Sequence, residues 1–332
     1  MPTPPLPGSG RAELRRRKKI KRIVVFAALT VVIVLLMLAT VMLALEIAQA
    51  RGDSKPSGTD DITTTTTPDT AAPTHSGYTA FMYDNSKATA GPLVLVNKSH
   101  KYVFPSGAAG LSDIRASRNK NADGEHSYSC EYDKLMDAEA LKAFNSMMDA
   151  FYAATGNGYA LVTAAYRTAE EQDALGLDTK GGYSDHHTGC LVTLKFYMDG
   201  IMYSINDTKF ADSYAWLAEH GAEYGFVVRY PDSKVSITGV SNYSNAYRYV
   251  GVAHAAYMKA NNLCLEEYIE LLKSHTLTDS HLSSTDSQGN KYEIYRIPVA
   301  SGTQTSVQVP EGKQYTISGD NDGGLVIAVK LS

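Results

Sequence analysis

The longest apolar stretch of the chain lies near its N-terminus. Residues 23–45 contain no charged residue, and only Thr30 and Thr40 interrupt the run of apolar side chains. A helix of that length would extend roughly 34 Å, which is enough to cross the hydrocarbon core of a bilayer. Buried core helices rarely run so long without a charge, so the sequence predicts a transmembrane helix over 23–45.

Basic residues flank this stretch unevenly. Residues 1–22 carry eight Lys or Arg and one Glu, whereas the first bases after the span are Arg51 and Lys55. Lys and Arg accumulate on the cytoplasmic side of membrane proteins, so residues 1–22 are predicted to form a cytoplasmic tail and the C-terminal part to be extracellular. A cleaved signal peptide is the alternative, since residues 48–50 (A-Q-A) resemble a cleavage site. The apolar stretch, however, exceeds the typical signal core of about 7–15 residues.

Composition changes twice more along the chain. Residues 46–77 are rich in Thr, Ser, Pro and Asp, and they are predicted to form an extended stalk because they have little to bury. Residues 276–290 are again polar, and short strand-like runs follow them. We therefore predict that residues 276–332 form a linker and a small all-β appendage.

Between these segments, residues 78–275 alternate apolar runs with helical patterns. Apolar side chains at helical spacing predict a helix over 135–152, with Asp137 as its N-cap. Residues 191–197 and 201–204 flank an Asp-Gly pair and predict a β-hairpin. Further strands are predicted at 93–96, 159–166, 226–229 and 247–250, and further helices at 169–175, 210–223, 253–261 and 265–275. The interleaving predicts an α+β domain with a mostly antiparallel sheet.

The distribution of charge excludes one class of partner. The formal net charge is −4, and because residues 1–22 sum to +7, the remainder of the chain sums to −11. An acidic domain is poorly suited to nucleic acid, so no nucleic-acid partner is expected. The three cysteines, Cys130, Cys190 and Cys264, form no C-x-x-C pair and are predicted to be buried free thiols; the alternative is one disulfide with one thiol left over.

The sharpest motif is the segment S-D-H-H-T-G-C-L-V-T at residues 184–193. It resembles the S-x-H-x-x-G-x-A-x-D segment of the VanY-type zinc D-alanyl-D-alanine carboxypeptidases. Residues 165–172, 216–231 and 238–251 resemble three other motifs of that family, in the same order and spacing. The resemblance covers roughly residues 90–275, and four ordered motifs are far more specific than one. It implies the D,D-carboxypeptidase/hedgehog-like fold and trimming of peptidoglycan peptides.

The departures from the family pattern concern its metal and its general base. The resemblance implies that zinc ligands would lie at the positions of His186, Thr193 and Ala246, and the general base at Tyr243. A catalytic zinc needs three protein ligands, but threonine offers a neutral hydroxyl and alanine offers no ligand atom. A phenol with an ordinary pKa of about 10 is a poor base near neutral pH. We therefore expect no confident catalytic residue, His186 as a residual ligand only, and no cofactor.

The positions that hold substrate in the family are retained. Arg167, Gln172 and Ser184 match positions that the resemblance assigns to the terminal carboxylate and carbonyls of a stem peptide ending in D-Ala-D-Ala. An arginine fork suits a carboxylate through paired, charge-assisted hydrogen bonds. The alternative is that Arg167 and Gln172 only stabilise the turn between a strand and a helix.

Three functions remain compatible with the sequence. The first is a membrane-anchored, catalytically impaired relative of the carboxypeptidases that binds peptidoglycan stem peptides. The second is an active zinc D,D-carboxypeptidase whose metal site is rebuilt from neighbours, for which the candidate ligands are Asp185, His187 and His254. The third is an interaction module whose groove has lost its role.

Overall fold

The structure is a computed structural model that describes residues 74–105, 110–121 and 124–332. The predicted cytoplasmic tail (1–22), the predicted span (23–45) and most of the predicted stalk (46–77) lie outside the described residues. Among the residues that are described, no helix combines the length and the apolar character needed to cross a membrane.

The described part contains six α-helices and fourteen β-strands. The helices are α1 (Ala138–Thr155), α2 (Ala169–Ala174), α3 (Ala211–His220), α4 (Val235–Thr238), α5 (Val252–Ala260) and α6 (Leu265–Leu272). The first seven strands are β1 (Tyr78–Asp84), β2 (Leu111–Asp113), β3 (Ser129–Cys130), β4 (Leu135–Asp137), β5 (Ala160–Ala164), β6 (Leu191–Met198) and β7 (Ile201–Tyr203). The other seven are β8 (Phe226–Val228), β9 (Ala246–Tyr249), β10 (Leu282–Thr285), β11 (Lys291–Pro298), β12 (Gln304–Pro310), β13 (Gln314–Gly319) and β14 (Gly324–Lys330).

A six-stranded sheet forms the centre of the fold. Its strand order is β3-β5-β6-β9-β8, with β7 paired to β6, and every pairing except β3 with β5 is antiparallel. Helix α1 buries Phe144, Met148 and Phe151 in the same apolar cluster as the sheet residues Leu194 and Phe196. This architecture confirms the predicted α+β class with a mostly antiparallel sheet.

Helix α1 begins later than its apolar spacing predicts. Residues 135–137 pair with β2 as a strand, and the helix starts at Ala138. The Asp137 carboxylate accepts hydrogen bonds from the backbone N–H groups of Glu139 and Ala140, each at 3.0 Å, as the predicted N-cap. Such a cap satisfies helix-terminal donors that would otherwise lack a partner and stabilises the fold by about 1 kcal/mol.

The C-terminal strands form a β region that packs on helices. Strands β10, β11, β14 and β13 form an antiparallel four-stranded sheet. Its residues Leu282, Ile294 and Val326 share one apolar cluster with Ala255 of α5 and Ile269 of α6. The regular elements after residue 276 are β10 to β14, and β10 lies within the polar segment 276–290.

Strand β1 joins the two ends of the described chain. It pairs antiparallel with β12 along its whole length, from Tyr78 opposite Pro310 to Asp84 opposite Gln304. The sequence assigned residues 78–84 to the carboxypeptidase-like segment, but their hydrogen-bonding partner is a strand of the C-terminal β region. Just before β1, the backbone N–H of His75 donates to Oε1 of Gln308 at 2.8 Å.

The predicted strand at residues 93–96 is wrong. These residues are buried, but they adopt no regular secondary structure. The carbonyls of Pro92 and Val94 accept hydrogen bonds from the Arg248 guanidinium at 3.0 and 3.1 Å. Side chains from the central sheet thus satisfy polar groups that a neighbouring strand would otherwise have to satisfy.

The three cysteines are buried and free, as predicted. Burial raises the pKa of Cys130 and of Cys190 to about 12. A thiol that stays protonated is a poor nucleophile and a poor metal ligand. These cysteines therefore contribute to packing and not to the chemistry of the site.

Candidate functional site

The motif at residues 184–193 forms a tight turn that leads into the central sheet. Residues Asp185–Thr188 make one turn of 3-10 helix, and Gly189 ends it with a φ of 71°. A Cβ on Gly189 would lie 2.7 Å from Cδ2 of Leu111, so both the backbone conformation and the space require glycine. The turn places the side chain of His186 next to the first residues of β6.

His186 and Thr193 meet a third side chain, Tyr243. The Tyr243 hydroxyl lies 2.9 Å from Nε2 of His186 and 2.8 Å from Oγ1 of Thr193. Oγ1 of Thr193 is 3.5 Å from the same Nε2, so the three polar atoms form a small triangle. His186 and Thr193 are almost fully buried, whereas Tyr243 is half-buried and its ring stacks on that of Tyr230. Tyr243 therefore covers the imidazole from the solvent side.

Ala246 lies on the same face as this triangle. It stands directly opposite Thr193 in the pairing of β6 with β9, and residues opposite each other in antiparallel strands point to the same face. Ala246 is fully buried and belongs to an apolar cluster with Leu191, Tyr230 and Tyr243. The structure therefore brings together all four positions that the sequence singled out, namely His186, Thr193, Tyr243 and Ala246.

The environment of His186 favours a neutral imidazole. Burial lowers its pKa well below the ordinary value, and the nearby positive charge of Arg167 lowers it further. The backbone of Ala165 partly offsets this effect. A neutral ring can donate or accept one hydrogen bond at each nitrogen, and the Tyr243 hydroxyl already engages Nε2.

The residues that could have rebuilt a metal site are engaged elsewhere. Nδ1 of His187 is 2.7 Å from the carbonyl of Arg167, and its Nε2 accepts from the N–H of Gly182 at 2.9 Å. Nδ1 of His254 is 2.8 Å from the Tyr268 hydroxyl. Within residues 74–105, 110–121 and 124–332, no group of three or more His, Cys, Asp or Glu side chains could hold a metal ion.

Asp185 anchors the turn through a buried ion network. Its carboxylate pairs with Nε of Arg229 at 2.6 Å and also with Arg248, and all three side chains are fully buried. Arg229 also pairs with Glu266 of α6 at 2.8 Å. Although burial alone would lower the pKa of Arg229, the carboxylates of Asp185 and Glu266 keep that pKa well above its ordinary value. Two guanidinium groups and two carboxylates thus balance each other beneath the site.

Arg167 and Gln172 interact directly at the entrance to α2. Nη1 of Arg167 donates to Oε1 of Gln172 at 2.8 Å, and Nε2 of Gln172 donates to the carbonyl of Thr179 at 2.9 Å. Gln172 is buried, whereas Arg167 is only half-buried. The contact fits the alternative role of stabilising the turn, and it also fixes a guanidinium in place beside the site.

An aromatic pair lies on the other side of His187. The rings of Tyr102 and Phe104 meet edge to face with centroids 4.9 Å apart, and the Phe104 centroid is 5.0 Å from that of His187. Phe104 is 38% exposed, so this surface is accessible beside the turn that carries Ser184. Sequence reasoning missed these two residues, because they lie in a short segment before the first matching motif.

Comparison with known proteins relates the segment around the site to one family. The family model described as VanY, D-alanyl-D-alanine carboxypeptidase, matches residues 175–252. This segment contains Ala246 and the three residues of the triangle. Residues 175–252 thus match the VanY family, and the part of the chain around them is called the VanY-family domain below. The D-alanyl-D-alanine carboxypeptidase of Enterococcus faecium is 32% identical over 180 residues, covering 52% of this chain and 55% of that protein. The chain thus spans about half the length of this curated relative.

Two solved structures are also similar to the VanY-family domain. The D,D-dipeptidase VanXYg, solved with a D-Ala-D-Ala phosphinate analog, is 23% identical and covers 76% of this chain and 99% of that chain with a TM-score of 0.62. This likeness supports the α+β fold. A mutant VanY from a VanB-type resistance cassette, solved with Zn(II), is 28% identical and covers 54% of this chain and 98% of that chain, with a TM-score of 0.39.

The residues of this VanY-family domain do not fit a catalytic zinc. The positions that the family motifs assign to the metal supply one imidazole, from His186, a threonine hydroxyl and the methyl group of Ala246. Such a metal needs three protein ligands and an open coordination position. In this chain the hydroxyl of Tyr243 lies within hydrogen-bonding distance of Nε2 of His186, the nitrogen that faces the other donor positions. The donor set is thus deficient by chemical type, and a phenol fills the space between the two polar side chains.

Proposed function

We propose that the VanY-family domain binds peptides ending in D-Ala-D-Ala and does not hydrolyse them. The observation that carries this proposal is the triangle of His186, Thr193 and Tyr243, with Ala246 opposite Thr193. Hydrolysis by the family mechanism requires a metal-bound water and a carboxylate that removes its proton. The triangle supplies neither three metal ligands nor a carboxylate that could act as the base.

Recognition of the peptide rests on groups that remain accessible. The half-buried guanidinium of Arg167 is held by Gln172, so it is preorganised to pair with the terminal carboxylate of a peptide. The turn that carries Ser184 is fixed to Arg167, because Nδ1 of His187 lies 2.7 Å from the Arg167 carbonyl. The names of the relatives, which describe a D-alanyl-D-alanine carboxypeptidase and a protein solved with a D-Ala-D-Ala analog, support the same ligand class.

Peptide binding without turnover is the expected result for the purified protein. A peptide ending in D-Ala-D-Ala should bind in calorimetry, and the same sample should release no D-alanine from it. After dialysis against a zinc solution, the protein should not hold one equivalent of zinc. Arg167→Ala should weaken binding about tenfold or more, because it removes a charge-assisted hydrogen bond to the carboxylate. Lys120→Ala, at an exposed lysine of the described part, serves as the matched control and should bind like the parent.

Each other function predicts a different outcome of this experiment. Stoichiometric zinc together with D-alanine release that a chelator abolishes would establish the active carboxypeptidase and refute the proposal. Equal affinity for peptides ending in D-Ala-D-Ala and in L-Ala-L-Ala would argue against a stem-peptide site. Unchanged binding to peptidoglycan after Arg167→Ala would favour an interaction module in which the groove has no role.

We further propose that residues 23–45 anchor this domain in the cell membrane, with the domain on the outer side. The support is the uncharged span and the excess of Lys and Arg before it. After an alkaline carbonate wash, the full-length chain should stay with the membrane fraction, and a variant lacking 23–45 should not. External protease should degrade the domain on intact cells. A full-length chain released by the wash would refute the anchor.

A further inference from the structure

A second cavity lies away from the triangle of His186, Thr193 and Tyr243. It has a volume of about 600 Å³ and opens between the N-terminus of α5 and strands β13 and β14 of the C-terminal β region. His186, Thr193, Tyr243 and Ala246 do not line it, and neither do Arg167, Gln172 and Ser184; His254, considered above as a replacement metal ligand, does line it. A volume of several hundred Å³ with a few converging polar groups is typical of a small-molecule site.

The N-terminus of α5 provides backbone donors at the floor of this cavity. Gly251 precedes the helix with a φ of 87°, and no side chain caps the helix start within the described part of the chain. The first intrahelical bond runs from the N–H of Ala255 to the carbonyl of Gly251, which leaves the N–H groups of residues 252–254 without a helical acceptor. Open N–H groups at a helix start favour an anion, both through hydrogen bonds and through the helix dipole.

His254 provides an independent polar group at the same place. Its side chain is 4% exposed, and its Nδ1 lies 2.8 Å from the hydroxyl of Tyr268. Among residues 74–105, 110–121 and 124–332, no side chain or backbone group within hydrogen-bonding distance of Nε2 is found. The Cδ2 edge of the ring, which is next to Nε2, faces Gly251 on the cavity floor.

The pairing with Tyr268 determines what His254 can offer. Burial raises the pKa of Tyr268 well above its ordinary value and lowers that of His254 to about 4. The phenol therefore keeps its proton and can donate it to Nδ1 of a neutral ring, the arrangement in which Nε2 carries the ring hydrogen. A ligand that accepts a hydrogen bond from Nε2 would then complete the hydrogen bonding of the ring.

Charged side chains and aromatic rings line the walls of the cavity. Its charged side chains are Lys313, Lys330 and Glu139, so the lining carries one net positive charge. Glu139 already accepts a hydrogen bond from the Tyr249 hydroxyl at 3.2 Å. The rings of Tyr249, Tyr292 and Tyr315 also line the cavity, and tyrosine combines an apolar face with a polar tip.

We propose that this cavity binds an anionic saccharide, a sugar that carries a carboxylate or a phosphate group. The anionic group lies at the N-terminus of α5, where it accepts hydrogen bonds from the open backbone N–H groups and from Nε2 of His254. Lys330 and Lys313 supply positive charge from the β region, Lys313 from a position where its Nζ donates to the carbonyl of Leu331. The sugar ring lies against the tyrosine rings, and its hydroxyl groups bond to the polar side chains of β13. The proposal does not depend on the function of the His186 site.

Calorimetry on the purified full-length protein tests this proposal with four probes: glucuronic acid, glucose 6-phosphate, glucose and inorganic phosphate. One of the two anionic sugars should bind more tightly than both glucose and inorganic phosphate, and which of them binds distinguishes a carboxylate from a phosphate. His254→Ala and Lys330→Gln should each weaken that binding about tenfold, because each removes a hydrogen bond or an ion pair to a charged group. Lys291→Gln is the matched control, since Lys291 is exposed on β11 and does not line the cavity.

Lys330→Gln keeps the test decisive if His254→Ala fails to fold, because Lys330 lies at the end of β14 and is only half-buried. Binding of a D-Ala-D-Ala peptide should be unchanged in Lys330→Gln, which separates this cavity from the proposed peptide site. Failure of both anionic sugars to bind would overturn the proposal. Equal affinity for glucose or inorganic phosphate, or unchanged affinity in Lys330→Gln, would overturn it as well.

Discussion

We expect a triple variant to bind one zinc ion and to release D-alanine from a peptide ending in D-Ala-D-Ala. Its substitutions are Thr193→Asp, Ala246→His and Tyr243→Glu. The reason is geometric. Thr193 and Ala246 are direct partners across β6 and β9, and Oγ1 of Thr193 is already 3.5 Å from Nε2 of His186. Three ligands would then converge on one point, and the removal of the Tyr243 hydroxyl would vacate it.

The gain in zinc binding and in D-alanine release depends on the presence of all three substitutions. Each single substitution should leave zinc binding and D-alanine release at the background level, because one or two ligands do not make a site. The triple variant should exceed the background rate by about a hundredfold or more, the usual contribution of a positioned general base. A triple variant that carries Tyr243→Gln in place of Tyr243→Glu should still bind zinc but should not release D-alanine. If the triple variant folds and takes up no zinc, these positions do not form the family's metal centre.

Asp185→Asn is expected to cause the largest loss of stability of any single substitution considered. The two side chains are nearly the same size, so the change removes charge and leaves the packing intact. Arg248 loses its carboxylate partner, and Arg229 keeps only Glu266. Removing one partner of a buried ion pair typically costs about 3–5 kcal/mol, because the remaining charge is left uncompensated. Chemical denaturation of the two proteins measures the difference in the free energy of unfolding.

A surface ion pair gives the comparison for this measurement. Glu219 pairs with Lys259 at 2.7 Å, but the Glu219 side chain is 69% exposed. Glu219→Gln should therefore leave the free energy of unfolding almost unchanged. Similar effects of Asp185→Asn and Glu219→Gln would mean that the network beneath the turn does not support the fold.

The motifs predicted the composition of the candidate site because they are local. Residues 184–193 carry both His186 and Thr193, and the turn between them is fixed by Gly189. The structure places Tyr243 and Ala246 beside this motif, since β9 pairs with β6 next to the turn. The sequence could not reveal that the Tyr243 hydroxyl would lie beside both polar side chains, because Tyr243 belongs to the irregular segment before β9, whose path depends on tertiary contacts.

Long-range contacts account for most of what the sequence could not predict. Arg229 and Arg248 were visible as parts of motifs, but their convergence on Asp185 requires three distant segments to meet. The buried run at 93–96 has the composition of a strand, and guanidinium groups satisfy its carbonyls instead. Helical spacing likewise predicted α1, but pairing with β2 takes residues 135–137 into a strand. In each case a tertiary contact overrides a local preference.

The pairing of β1 with β12 has a consequence for how the protein is made. Residues 78–84 leave the ribosome well before their partner strand at 304–310. Until then this early strand has an unsatisfied edge, and contacts so distant in sequence form slowly. The domain can therefore complete its fold only after synthesis of the C-terminal β region, and a nascent chain would depend on protection from aggregation in the meantime.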